Sequence, residues 1–432
     1  MDLTLFFALL GGLLVLAFVA NRLVRFTRVP DVIILMATGV LIGPVLHRVN
    51  PDIFRGASGG LGALALILIL FEGGLNLKLR ELLAHFGAGF FLSLFSYVLC
   101  SAAVAAVCRP VLHCSWIDAL LIGAAMGCIS SSILLPVLQQ INLRREVKVT
   151  LLVESSFGDA LAVLAVTTLL DMASGGSASA KAVAWSLLSS LIVGVASGIL
   201  AGMLWSYLLP ILTEEHFWHV LTFAAVLLVY AGVHAIKGND LISVLVFGLT
   251  LANFPAVQRR LHLDKPSRSD WFSETPLKGA PGGTLEHPQA QMLTFHGELA
   301  FLLRTFFFVL LGMLVEFEGL RKNSLLALLC FAAIFVARWV AVQTGRLAWR
   351  TFSPLELELM IWFVPRGLIT VVLGIDILEA RGPSFAFLPS LAFAVVLLTN
   401  LTVLIGTIRA RNLVPETEEL NVPAPHEDLL EG

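Results

Sequence analysis

Charged side chains are scarce in this sequence. Asp, Glu, Lys and Arg make up 13% of its 432 residues, against about 25% in a soluble domain. The chain therefore lacks the polar surface that several soluble domains of this total length would need, and soluble enzymes are excluded. A net charge of -2 leaves no electrostatic footprint for a nucleic acid, so partners of that class are excluded too. Cysteine is limited to five residues, which rules out a secreted disulfide scaffold. Cys100, Cys128 and Cys330 lie in apolar runs, where a thiol behaves as a small hydrophobe. Cys108 and Cys114 flank a turn and form the one candidate disulfide, and no spacing reads as a structural metal site. No GxxxxGK[ST] phosphate loop occurs. The two polar segments, 255–297 and 410–432, are too short for a nucleotide-binding domain, so transport driven by ATP hydrolysis within this chain is not expected.

Apolar length is abundant instead: 58% of residues are hydrophobic and the mean hydropathy is +0.90. Runs long enough to cross a bilayer as helices are read near 3–20, 30–48, 58–76, 86–108, 116–140, 148–172, 181–209, 217–235, 239–254, 298–317, 323–345, 354–379 and 386–408. The expectation is an all-α integral membrane protein with about thirteen spans. The first run lacks a basic start and a small-residue cleavage site, so it reads as an uncleaved span rather than a signal peptide. With the N-terminus outside, cytoplasmic stretches hold 17 Lys and Arg against 8 outside, which orients the chain with its C-terminus in the cytoplasm. Segment 255–297 reads as a mobile cytoplasmic connection and 410–432 as a disordered acidic tail.

An odd count of spans suggests two six-helix halves joined by the seventh span, 181–209, which inverts the second half relative to the first. Transporters built this way break paired helices near the midplane. The fifth span carries GCISSSILLP (127–136) with Ser130, Ser131 and Ser132, and its counterpart, the twelfth, carries FVPRGLITVVLG (363–374) with Pro365, Arg366 and Gly367. Both interrupt an apolar run. Ordinary kinks and small-residue packing are the plainer alternative.

A charge at mid-bilayer costs at least ~2.5–3.5 kcal/mol, so each is a functional candidate. Glu154 and Asp159 lie well inside the sixth span, with Ser155 and Asp159 on one face and Glu154 about 140° away at 100° per residue. Asp159 suits a cation that exchanges for protons, because a carboxylate is both a hard-cation ligand and a titrating group. Glu154 needs a partner, and Arg338 in the eleventh span supplies one as a structural ion pair. The competing pairing sets Arg338 against Asp159 in the empty state. Glu72 either lines the ion route or marks a helix end beside Gly73 and Gly74. Arg366 either balances freed carbonyls or faces carboxylates. Arg304 and Glu298 read as interface anchors, and Asp376 as solvated near the outer end of its span.

On LFEGGLNLKLREL (70–82), ESSFGDALAV (154–163), ELAFLLRTFFFVLLGMLVEF (298–317), Arg338 and VPRGLITVVL (364–373), the chain resembles the monovalent cation:proton antiporters, in particular the thirteen-helix branch of bacterial sodium/proton antiporters. The resemblance covers essentially 1–410. It implies a homodimer in the cytoplasmic membrane that exchanges Na⁺, or alternatively K⁺, for H⁺ by alternating access, with no cofactor beyond the transported ions. It implies scaffold helices in 1–76 and 217–317, a mobile core in 86–172 and 323–408, and the linker 181–209 between them. It implies Asp159 as the shared cation and proton carboxylate, Ser155 as a ligand hydroxyl, Glu154 with Arg338 as the buried pair, and Glu72 at a cytoplasmic funnel; Ser130 and Ser131 join the candidate site as hydroxyls that take the place of a carboxylate in the fifth span.

Two departures matter. Gly158 stands where the branch usually has Asn. Ile129-Ser130-Ser131, followed by Ser132, stands where it usually has Thr-Asp-Pro. The missing carboxylate removes a candidate ligand and a negative charge, which brings K⁺ or mixed exchange into view. Three rival readings remain at this point. SFGD (156–159) resembles the GxGD of intramembrane aspartyl proteases, but the first Gly and a second mid-membrane Asp are lacking. A channel, or an organic-anion carrier using Arg338 and Arg366, would use the same spans.

Overall fold

The computed structural model describes residues 31–46, 52–141, 143–174, 180–212, 217–260, 288–348 and 352–413, with scattered positions between 11 and 22. Most of the expected first span, most of segment 255–297 and the tail beyond 413 lie outside the described residues. The described residues are almost entirely helical: α1 (Asp31–Val40, continuing as a π turn, Leu41–Val45), α2 (Asp52–Asn76), α3 (Leu79–Leu112), α4 (Trp116–Gly127), α5 (Ser131–Gln140), α6 (Arg145–Ala173), α7 (Ala180–Leu212), α8 (Trp218–Ala235), α9 (Asp240–Arg260), α10 (Pro288–Met313), α11 (Phe317–Lys322), α12 (Ser324–Ala348), α13 (Pro354–Trp362), α14 (Leu368–Arg381) and α15 (Leu388–Leu413). Among the described residues eight helices are long and apolar enough to cross a membrane, and three shorter apolar helices, Asp31–Val45, Gly62–Asn76 and Asp240–Phe254, accompany them.

In lipid each backbone group must be satisfied within the protein, so helices are the economical spanning element. Close packing then depends on small residues. Where α1 crosses α10, Gly39 and Gly312 face each other: a Cβ on Gly39 would collide with the Val309 carbonyl, and one on Gly312 with that of Met36. Two groups of helices result. In one, α3 packs on α4, α6 and α12, and α12 on α15. In the other, α10 packs on α1 and α2, and α9 on α2 and α7.

The fifth and twelfth spans are not continuous. Residues 128–130 separate α4 from α5, and 363–367 separate α13 from α14. The two breaks meet: the Ser130 N–H donates to the Pro365 carbonyl at 2.9 Å. Gly367 has no room for a side chain there, since a Cβ would strike Ser130 Oγ. Ion pairs tie the broken helices at both ends. Arg381, closing α14, donates to Asp118 in the first turn of α4 at 2.7 Å. Arg144, after α5, grips Glu356 in the first turn of α13 through Nε and Nη2. Glu356 also closes a capping box with Ser353, which fixes the start of that half-helix.

Cys108 and Cys114 are free thiols, as are the other three cysteines. The candidate disulfide gives way to a different neighbour, because Cys108 is buried inside α3 with its Sγ 3.7 Å from Cys330 Sγ of α12.

Candidate functional site

The meeting of the two breaks exposes helix ends inside the protein, and the chain meets each with charge. The last carbonyls of α4 have no intrahelical donor. Arg366, fully buried, covers them: Nε donates to the Met126 carbonyl at 2.7 Å and Nη2 to that of Gly127 at 3.2 Å. Its backbone is held by α15, with Thr399 Oγ1 accepting from Arg366 N at 3.0 Å and Asn400 Nδ2 donating to Arg366 O at 3.1 Å. Of the two readings open for Arg366, the carbonyls are what it touches.

At the other side of the first break, the N-terminus of α5 presents free N–H groups, which favour an anion. Asp159 of α6 occupies that position. Its Oδ2 accepts from Ser131 N at 3.2 Å and from Ser131 Oγ at 2.5 Å. Its Oδ1 is buried and has no hydrogen-bond partner among the described residues, with the Cys128 side chain beside the carboxylate. A buried carboxylate oxygen without a donor is costly. The arrangement has the chemistry of a site that takes a proton or a small cation.

Glu154, on another face of α6, is committed elsewhere. Arg338 of α12 binds both of its oxygens, with Nη2 to Oε2 at 3.0 Å. Arg338 also donates Nε and Nη2 to the Met360 carbonyl in α13, at 3.0 and 2.8 Å, and Nη1 to Ser96 Oγ at 3.3 Å. The arginine thus joins α3, α6, α12 and α13 in one buried network, and Asp159 has no hydrogen bond to it.

Other expected residues fall differently. Ser155 is buried, but its hydroxyl donates back to the Leu152 carbonyl at 3.1 Å rather than to Asp159. Ser130 and Ser132 share a hydroxyl–hydroxyl bond of 2.8 Å. Glu72 lies near the end of α2, opposite Gly297 of α10. Asp376 is exposed. Arg304 is not the interface anchor expected: it is 8% exposed, and it donates to the Ser132 carbonyl at 2.8 Å and to Asp31 Oδ2 at 2.7 Å. Asp31 was not legible as a partner, because an acid opening a helix reads as an ordinary cap.

Known proteins resemble the chain along most of its length. It is 25% identical over 408 residues to a K⁺/H⁺ antiporter NhaP2 of a Shewanella species (strain MR-4), a match covering 91% of this chain and 64% of the relative. It is 23% identical over 392 residues to Na⁺/H⁺ antiporter 1 of Methanocaldococcus jannaschii, covering 88% of this chain and 85% of that one. The structure of the sodium proton antiporter MjNhaP1 from M. jannaschii at pH 8 superposes with a TM-score of 0.73 at 21% identity, covering 94% of this chain and all of the other. The fold is therefore that of a sodium/proton antiporter, while the chain spans just under two thirds of the length of the NhaP2 relative. Residues 13–411 match the model of the transmembrane sodium/hydrogen exchangers, and the chain belongs to that family.

Proposed function

We propose that this protein is a secondary antiporter that exchanges one monovalent cation, Na⁺ or K⁺, for one proton, with Asp159 as the shared site. The observation that carries this reading is the half-satisfied Asp159 carboxylate: Oδ2 is held by Ser131 at the N-terminus of a half-helix, and Oδ1 is buried with no hydrogen-bond partner among the described residues. A proton or a cation on Oδ1 would complete it. Glu154 is neutralised by Arg338, and Ser130 contributes a hydroxyl where an acid would add charge. One titrating group then serves both ions, which supports electroneutral exchange. Acid protonates Asp159 and blocks cation entry, and alkali starves the return step of protons, so activity is bell-shaped in pH.

The names of the relatives include both Na⁺ and K⁺. K⁺ gains weight here from the hydroxyls around the first break, which present less charge than a second carboxylate would. A homodimer in the cytoplasmic membrane, with scaffold helices in 1–76 and 217–317 and the core in 86–172 and 323–408, accompanies this reading, as does an outside N-terminus. The test is flux in proteoliposomes with an internal pH dye. Added Na⁺ or K⁺ should collapse an imposed proton gradient with the native chain and fail to do so with Asp159→Asn, which removes charge at nearly constant volume. Native-like flux through Asp159→Asn would exclude it as the site.

A further inference from the structure

Arg304 stands where α10, α1 and the first break converge. Its Nη1 donates to the Ser132 carbonyl and its Nη2 to the Asp31 carboxylate, so one side chain holds the opening turn of the broken half-helix α5 against the start of α1. The guanidinium is nearly enclosed, yet its Nε is buried with no acceptor among the described residues. Glu72 of α2 lies within electrostatic reach of the same guanidinium. Besides the Phe301 ring, whose centre lies 5.8 Å from its Cζ, three oxygen-bearing groups accept from or attract the guanidinium. Two, Asp31 and Glu72, are carboxylates on the α1–α2–α10 packing group. The third is the Ser132 carbonyl, next to the residue that binds Asp159.

We propose that Arg304 is a positioning residue: with Asp31 as its anchor, it latches the first break to α1 and α10 and must release the Ser132 carbonyl when α5 moves. The role of the latch in transport rests on the antiporter reading, but the latch itself does not. The carbonyl of Ser132 is a neutral acceptor and the two carboxylates are charged, so release leaves Arg304 with Asp31 and brings Glu72 in as a second partner. The unpaired Nε shows that the guanidinium is not saturated in the state seen here, which leaves a donor for that exchange. A purely structural buried arginine would be expected to satisfy its donors within one packing group, as Arg338 does within the other.

The test uses the full chain in lipid nanodiscs and measures amide hydrogen exchange of the segment 130–136 in Asp31→Asn, Arg304→Gln and the double variant. Both single variants should speed exchange there by about tenfold, the effect of losing one charge-assisted bond. The double variant should be no faster than the faster single one, because the two residues act through one contact. Arg304→Lys, which keeps the charge but cannot fork between two acceptors, should fall between. In proteoliposomes the turnover of Asp31→Asn at saturating cation should rise severalfold, since the latch is part of the barrier. Unchanged exchange at 130–136, or effects of the single variants that simply add, would overturn the latch, as would unaltered turnover in vesicles whose native counterpart is active. If the native protein moves no protons on cation addition, the antiporter reading fails, while the amide measurement still decides the latch.

Discussion

Ser131 holds Asp159 twice, through its backbone N–H at 3.2 Å and its hydroxyl at 2.5 Å, both on the same carboxylate oxygen. The backbone contact belongs to the free N-terminus of α5 and survives any substitution except proline. The hydroxyl is the removable half. Ser131→Ala should therefore weaken cation binding by about tenfold, the value of one hydrogen bond to a charged group, and leave the fold intact. Ser155→Ala should change the apparent KM by less than twofold, because its hydroxyl serves the Leu152 carbonyl. Cation titrations of dye dequenching compare the two, and equal effects would return Ser155 to the site.

Arg338 and Glu154 are both fully enclosed. Removing one member of such a pair leaves an uncompensated buried charge, at a cost of about 3–5 kcal/mol. Arg338→Ala and Glu154→Ala should each lower the thermal midpoint markedly, whereas Asp159→Asn should not. Thermal unfolding in detergent measures this, and a native midpoint in either alanine variant would contradict the network.

Arg366 covers the carbonyl end of α4 and, among the described residues, hydrogen-bonds to no carboxylate. Arg366→Gln keeps some donors but not the charge, and should slow transport while raising amide exchange in 124–130. Arg366→Lys should restore less than half of the rate, since one ammonium cannot reproduce the planar fork. Full rescue by lysine would mean that charge alone matters.

With one titrating group, each half-cycle carries the same charge. The exchange rate at fixed ion gradients should not respond to an imposed membrane potential. A potential-dependent rate would bring in a second proton carrier, Glu72 or Glu154.

Much of this architecture was legible from apolar length and from where Gly, Pro and Ser interrupt it. The run 148–172 became Arg145–Ala173, and FVPRG became the second break, because a span without such residues has no reason to open in lipid. The mid-membrane charges Asp159, Glu154 and Arg338 were also conspicuous, since hydrocarbon makes each of them expensive. Contacts that depend on tertiary approach were not legible. Helical spacing places Ser155 on the face of Asp159 but says nothing of its rotamer, and the hydroxyl turned to its own helix. Arg304 sits near a helix end in sequence, and its partners lie 172 and 273 residues away. Cys108 has a near neighbour at Cys114, yet its helix directs it toward Cys330 of α12.

The most direct test of the shared site is the proton count on cation binding. Calorimetric titration of the purified protein with Na⁺ and with K⁺, in two buffers of different ionisation enthalpy, measures it. Near neutral pH the bound cation should release up to one proton, rising toward one as the pH falls, and neither binding nor release should occur in Asp159→Asn. Cation binding without proton release across the pH range, or binding that persists in Asp159→Asn, would contradict the shared site.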